Sequence, residues 1–96
     1  MLIEVVTFRA RDGVDGGTVA AADNRLQTEC VLTHQGFVRR TVGHRAGRDW
    51  VMVTFWWSEA DAAASWEQAA GHPAHDQLMS MVDDGSWHVE RYDALD

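Results

Sequence analysis

A chain of 96 residues suits one domain and is too short for two independent cores, yet 46% of it is apolar and it carries five tryptophans. Some of that apolar surface is expected to meet a partner subunit. The formal charge is −7, with 15 acidic residues against 8 arginines and no lysine, so phosphate backbones and anionic membrane surfaces would be repelled at long range.

The first element, "LIEVVTFRA" (Leu2 to Ala10), is rich in β-branched residues and stops at the turn signal Asp12-Gly13, which predicts a strand. It lacks a basic start and a small-residue cleavage site, so no secretory leader is expected. Val19, Ala22, Leu26, Cys30 and Thr33 then recur at spacings of three and four, predicting an amphipathic helix over Asp15 to His34, with Asp23 and Asn24 on its solvated side and Gly36 as its left-handed cap. Cys30 is the lone cysteine and falls on the apolar stripe, which reads as a small buried hydrophobe in a reducing compartment. "FVRRTVGHR" and "WVMVTFWW" follow as two strands joined by a short glycine-containing turn. Arg39 and Arg40 are strand neighbours and must point to opposite faces; a buried one needs a carboxylate such as Glu4 or Glu90, or an anionic ligand.

Ser58 with Asp61 three residues on marks the start of a second helix, whose inward stripe is predicted as Ala62, Ala63, Trp66, Ala69 and Ala70. Gly71 ends it, and Pro73 fits the first turn of a third helix carrying Ala74, Leu78, Met81 and Val82. Asp84-Gly85 turns the chain into a last strand, Ser86 to Tyr92. No run nears the roughly 18 apolar residues of a membrane span, and a cytoplasmic protein is expected.

Strand, helix, strand, strand, helix pair, strand is the order of an α+β ferredoxin-like split β-α-β domain spanning 1–96: a four-stranded antiparallel sheet with helices on one face. The strand Trp50 to Trp57 is apolar on both sides, with Val51, Val53, Phe55 and Trp57 on one and Trp50, Met52 and Trp56 around Thr54 on the other. Helices can cover one face only. The second cover is expected to be the same sheet of another copy, giving a homodimer through sheet faces, and Trp50 and Met52 would lie bare without it.

These segments resemble the antibiotic biosynthesis monooxygenase type of the dimeric α/β-barrel superfamily. The resemblance runs from "VVTFRARDG" through "QGFVRRTVG" and "WVMVTFWWSEADAAASW" to "VERYDAL". It implies a pocket between sheet and helices in which a phenolic or polycyclic molecule is deprotonated and reacts with O₂, with no cofactor and no metal. Within that implication His75 and Arg40 are the expected catalytic residues, as base and anion stabiliser, and Trp66, Phe55, Thr7 and His72 the substrate-binding ones. The haem-degrading branch has an Asn on its first strand, a Trp on the penultimate helix and a His on the next. Trp66 and His75 lie near the last two, but Thr7 or Val5 stands where the Asn would be, so haem degradation is not the expected activity.

Each of these residues also has a plainer role. Trp66 can be packing over the sheet, His72 a helix cap, His75 a solvent-facing ring and Arg40 half of a structural ion pair. His72 and His75 would need a distant third ligand to hold zinc. Two functions therefore stand side by side: a cofactor-independent monooxygenase acting on an aromatic or polyketide-type molecule, and a non-catalytic dimeric ligand-binding or stress-related protein of the same fold.

Overall fold

The computed structural model describes residues 1–95; residue 96, the last of the expected domain, lies outside them. The order is β1 (Leu2–Arg9), α1 (Gly16–Glu29), a 3₁₀ turn (Val31–Thr33), β2 (Phe37–Arg45), β3 (Asp49–Trp56), α2 (Glu59–Ala69), α3 (Pro73–Met79) and β4 (His88–Asp93). The strands form one antiparallel sheet in the order β2-β3-β1-β4, the ferredoxin-like α+β arrangement.

Alternation along the two central strands decides the layers. Leu2, Glu4, Val6 and Phe8 of β1 and Trp50, Met52, Thr54 and Trp56 of β3 are buried, while the residues between them are half-buried or exposed. Val19, Ala22 and Leu26 of α1, Ala62 of α2 and Leu78 of α3 complete that core. Trp50 and Met52 therefore lie beneath the helices, and the uncovered apolar set is Ile3, Val5, Val51, Val53 and Phe55, on the opposite parity. This reverses the expectation that Trp50 and Met52 would be the bare pair. Trp57 falls just past the end of β3 and is exposed.

Five further boundaries and faces differ from the periodicity reading, one of them α3, which ends at Met79, before the Met81 and Val82 expected on its stripe. α1 stops at Glu29, and the chain tightens into the 3₁₀ turn before β2, so Cys30 rather than Gly36 caps the helix. Gly36 does take the left-handed conformation, φ 83°, but as the turn into β2, where a Cβ would run into the Asp61 side chain. Ser86 is not in β4: its hydroxyl accepts the Arg9 N–H at 3.0 Å, which ties the loop to the end of β1 and delays strand pairing to His88. On α2 the inward residues are Ala62, Ser65 and Ala69, whereas Ala63 and Ala70 are exposed.

The N-terminal caps of α2 and α3 are those the sequence implies, and Asp15 caps α1. Asp15 Oδ1 accepts the Thr18 N–H at 3.0 Å, a bond to the charged form that lowers the Asp15 pKa. Ser58 Oγ accepts the Asp61 N–H at 3.1 Å, and His72 Nδ1 accepts the Ala74 N–H at 3.0 Å. Among the described residues no helix is long and apolar enough to cross a membrane.

Candidate functional site

Between the sheet and the helices lies a cavity of about 30 Å³ whose polar lining is Glu4, Arg40, Thr54, Ser65, Trp66 and His75. Five elements supply these polar groups. Glu4 and Thr54 sit on inward positions of β1 and β3, Arg40 on the inward parity of β2, Ser65 and Trp66 on α2, and His75 on the first turn and a half of α3.

Of the residues singled out in the sequence, His75, Arg40 and Trp66 border this cavity together. Phe55 and Thr7 do not: both have the outward parity, Phe55 beneath the guanidinium of Arg39 at 5.4 Å and Thr7 opposite Val51 and His88. His72 is spent capping α3.

Arg40 is held firmly. Its Nη2 and Nη1 donate to Asp23 Oδ1 at 2.6 Å and Oδ2 at 3.1 Å, and Nη1 also donates to Gln27 Oε1 at 2.9 Å. The guanidinium side chain is 3% exposed and the Asp23 side chain 10%. Its partner is thus Asp23, not Glu4 or Glu90, and Asp23 is a buried residue of α1 rather than a solvated one. A forked, two-bond pair of this kind is the arrangement in which burial of two charges is compensated.

Glu4 forms the second polar node. Its Oε2 accepts from Trp66 Nε1 at 2.9 Å and from Arg91 Nε at 2.9 Å, and the residue is 3% exposed. Glu4 thereby fixes the indole of Trp66, which meets His75 edge-on with ring centroids 6.2 Å apart and Trp87 edge-on at 5.8 Å. Trp66 is a partition as well as a packing residue, because its other side, with Ala63, Val89 and Arg91, borders an outer groove of about 550 Å³.

His75 Nδ1 is buried and makes no hydrogen bond among the described residues; its nearest acidic atom, Asp76 Oδ1, is 3.8 Å away. Trp56 Nε1, on the same cavity wall, is likewise buried without a partner. Ser65 Oγ lies 2.6 Å from His34 Nδ1, and burial, assisted by His72, pushes the His34 pKa down. Among the described residues no group of three or more His, Cys, Asp or Glu side chains is placed to hold a metal ion.

Ser65 was missed at the sequence level, Asp23 was expected on the solvated side of α1, and Glu4 was named only as a possible partner for a buried Arg39 or Arg40. Each carried a signal: Glu4 holds an inward position in an otherwise apolar alternation, Asp23 is spaced four from Val19 and three from Leu26, and Ser65 three from Ala62 and four from Ala69.

Comparison with known proteins bears on the fold. No family model matches the chain, and no curated protein sequence matches it. Solved structures do. SnoaB, a cofactor-independent oxygenase from Streptomyces nogalater, superposes with a TM-score of 0.81 over 99% of this chain and 93% of its own, at 14% identity. This chain has the fold of the antibiotic biosynthesis monooxygenases. A protein of Nitrosomonas europaea, provisionally named as such a monooxygenase, gives a TM-score of 0.80 at 16% identity over 99% of both chains. A conserved protein from Methanosarcina mazei, for which no activity is stated, gives 0.76 at 15% identity over 96% of this chain and 91% of its own. The antibiotic biosynthesis monooxygenase fold thus spans nearly the whole chain, with identities low enough that it carries architecture and not chemistry.

Proposed function

We propose that the protein is a cofactor-independent monooxygenase of the cytoplasm that oxidises a small aromatic or polyketide-type molecule with O₂ in the cavity bounded by His75, Trp66, Glu4 and Arg40. The observation that carries this reading is the convergence of an imidazole with an unpartnered Nδ1, an indole wall and a buried guanidinium on one small cavity in a fold shared with a cofactor-independent oxygenase.

The role of each residue follows from its surroundings. His75 takes a proton from an activated CH₂ or hydroxyl group of the substrate, leaving a carbanion or phenolate electron-rich enough to reduce O₂. Carbon–oxygen bond formation then gives a peroxide. Loss of the second C–H proton with cleavage of the O–O bond yields the ketone and hydroxide, which is protonated to water. One oxygen atom goes to each product, so the substrate itself supplies all the electrons. Arg40, already ion-paired, contributes a fixed positive field to the anion rather than a free donor, and Trp66 with Trp56 supplies apolar walls that exclude water.

The cavity as it stands has room for about one or two waters, whereas small-molecule sites are typically roughly 300–1,000 Å³. Substrate binding therefore requires Trp66 to swing out of its bond to Glu4, merging the inner cavity with the outer groove of about 550 Å³. The small size of the cavity also favours a second reading, a non-catalytic ligand-binding protein in which the same opening admits a molecule that does not react.

The protein is proposed to work as a homodimer through the uncovered faces of its sheet. The half-buried patch of Ile3, Val5, Val51, Val53 and Phe55 is a suitable contact, and the cation over Phe55 and the Tyr92–Glu90 hydrogen bond flank it. O₂ uptake with anthrone or quinol substrates tests the activity. His75→Ala should lower turnover by on the order of 10²-fold or more while leaving the far-UV spectrum unchanged; undiminished turnover would remove His75 as the base, and wild-type protein that binds such compounds without consuming O₂ would favour the non-catalytic reading.

A further inference from the structure

The chemistry just described leaves the Ser65 hydroxyl on the cavity wall without a task. Ser65 is 6% exposed, borders the cavity from the middle of α2, and sits 2.6 Å from His34 Nδ1, across from the 3₁₀ turn that follows α1. We propose that Ser65 and His34 are a second acid–base pair of this cavity, which accepts the proton of a phenolic or enolic hydroxyl at Ser65 Oγ and carries it to the surface through His34. The proposal rests on the reading of the cavity as a site for hydroxylated aromatic molecules.

The transfer is balanced without any change of oxidation state. The substrate O–H bond breaks with its electron pair left on oxygen, a new O–H bond forms on Ser65, and the proton Ser65 already held passes along its hydrogen bond to Nδ1. The half-buried imidazolium then releases its Nε2 proton to solvent, and reversal of the same steps returns a proton to the cavity. A serine is needed here because its oxygen can accept and donate at once, so it bridges a buried space to a ring that reaches water.

The alternative use of a Ser–His pair is nucleophilic attack, and the geometry does not favour it. Ser65 lies in mid-helix, where the neighbouring amides are engaged in α2, so no pair of N–H groups flanks the hydroxyl to hold an oxyanion. A neutral ring suits the relay instead. Burial, and then the nearby His72 at the start of α3, disfavour the imidazolium, so the ring stands ready as an acceptor and gives its proton up quickly. The other charged or titratable groups around the pair are Asp61, one turn earlier on α2, and Arg40, Glu4 and His75 on the cavity walls.

The test uses 4-nitrophenol, whose ionisation is read directly from its visible absorbance, with wild type, S65A, S65T, H34Q and the control H88Q at an exposed site. Wild type and H88Q should bind the probe and shift its ionisation midpoint to lower pH, and should speed exchange of its hydroxyl proton with solvent. S65A and H34Q should abolish both changes and S65T, which keeps the hydroxyl, should restore them; thermal melts identify any variant that has lost its fold. Identical probe ionisation in wild type, S65A and H34Q overturns the proposal, as does the absence of any spectral change in wild type. Probe ionisation that depends on Ser65 in a protein that consumes no O₂ with anthrone would leave the pair standing and remove the oxygenase reading. O₂ turnover whose rate and pH profile are the same in wild type, S65A and H34Q would do the reverse.

Discussion

Arg40 and Asp23 show how a single residue pair can carry both stability and the electrostatics of a site. Each charge is nearly out of water, and the forked bonds at 2.6 and 3.1 Å are what make that burial tolerable. Asp23→Ala strands the guanidinium beside the cavity and is expected to cost about 3–5 kcal/mol, measured as a lower midpoint in urea unfolding. A double replacement of Asp23 and Arg40 by Leu and Met should recover most of that loss, because it removes the desolvated charges together. Recovery of stability without recovery of O₂ turnover would separate the fold from the field that Arg40 sets up. Glu4 works differently: one oxygen holds both Trp66 and Arg91, so its loss frees an indole rather than stranding a lone charge in the core.

At the scale of elements, most of the architecture was legible in the sequence. β1, β2, β3 and the starts of the two short helices stand where period, caps and turn residues imply them, because hydrophobic alternation and the Ser58 and Pro73 signals are local. What misled was tertiary. A polar residue such as Asp23, Glu4 or Ser65 at an inward position looks like a phase error in a helix or strand until its partner on another element is known. The face of β3 that meets the helices was equally unreadable, since both sets of its side chains are apolar and only the connection geometry decides between them. Ser86 shows a third cause, a side-chain bond to Arg9 that displaces the ladder by two residues. The cap of α2 offers a clean local test: Ser58→Ala removes the acceptor for the Asp61 amide and should lower stability by about 1 kcal/mol, seen as a shift of a few degrees in the thermal midpoint, with no effect on ligand binding.

For the molecule as a whole, the helices cover one side of the sheet and leave Val5, Val51, Val53 and Phe55 half-buried on the other. A charge in the centre of that patch should be incompatible with sheet-to-sheet packing. Val53→Glu is expected to convert a dimer of twice 10.7 kDa into a monomer, measured by light scattering at micromolar concentration. A wild-type protein that is already monomeric there would remove the dimer. The candidate cavity lies on the other side of the sheet, so dimerisation and ligand binding can be tested separately. Its centre is the Trp66 partition, tied to Glu4, with a small polar chamber containing His75 behind it and a larger groove in front. A crystal structure of the protein soaked with a hydroxylated anthraquinone tests that centre most directly. The aromatic rings should lie between sheet and helices with Trp66 turned away from Glu4 and an oxygen within hydrogen-bond reach of His75; an unmoved Trp66, with the compound bound on the open sheet face or nowhere, would contradict it.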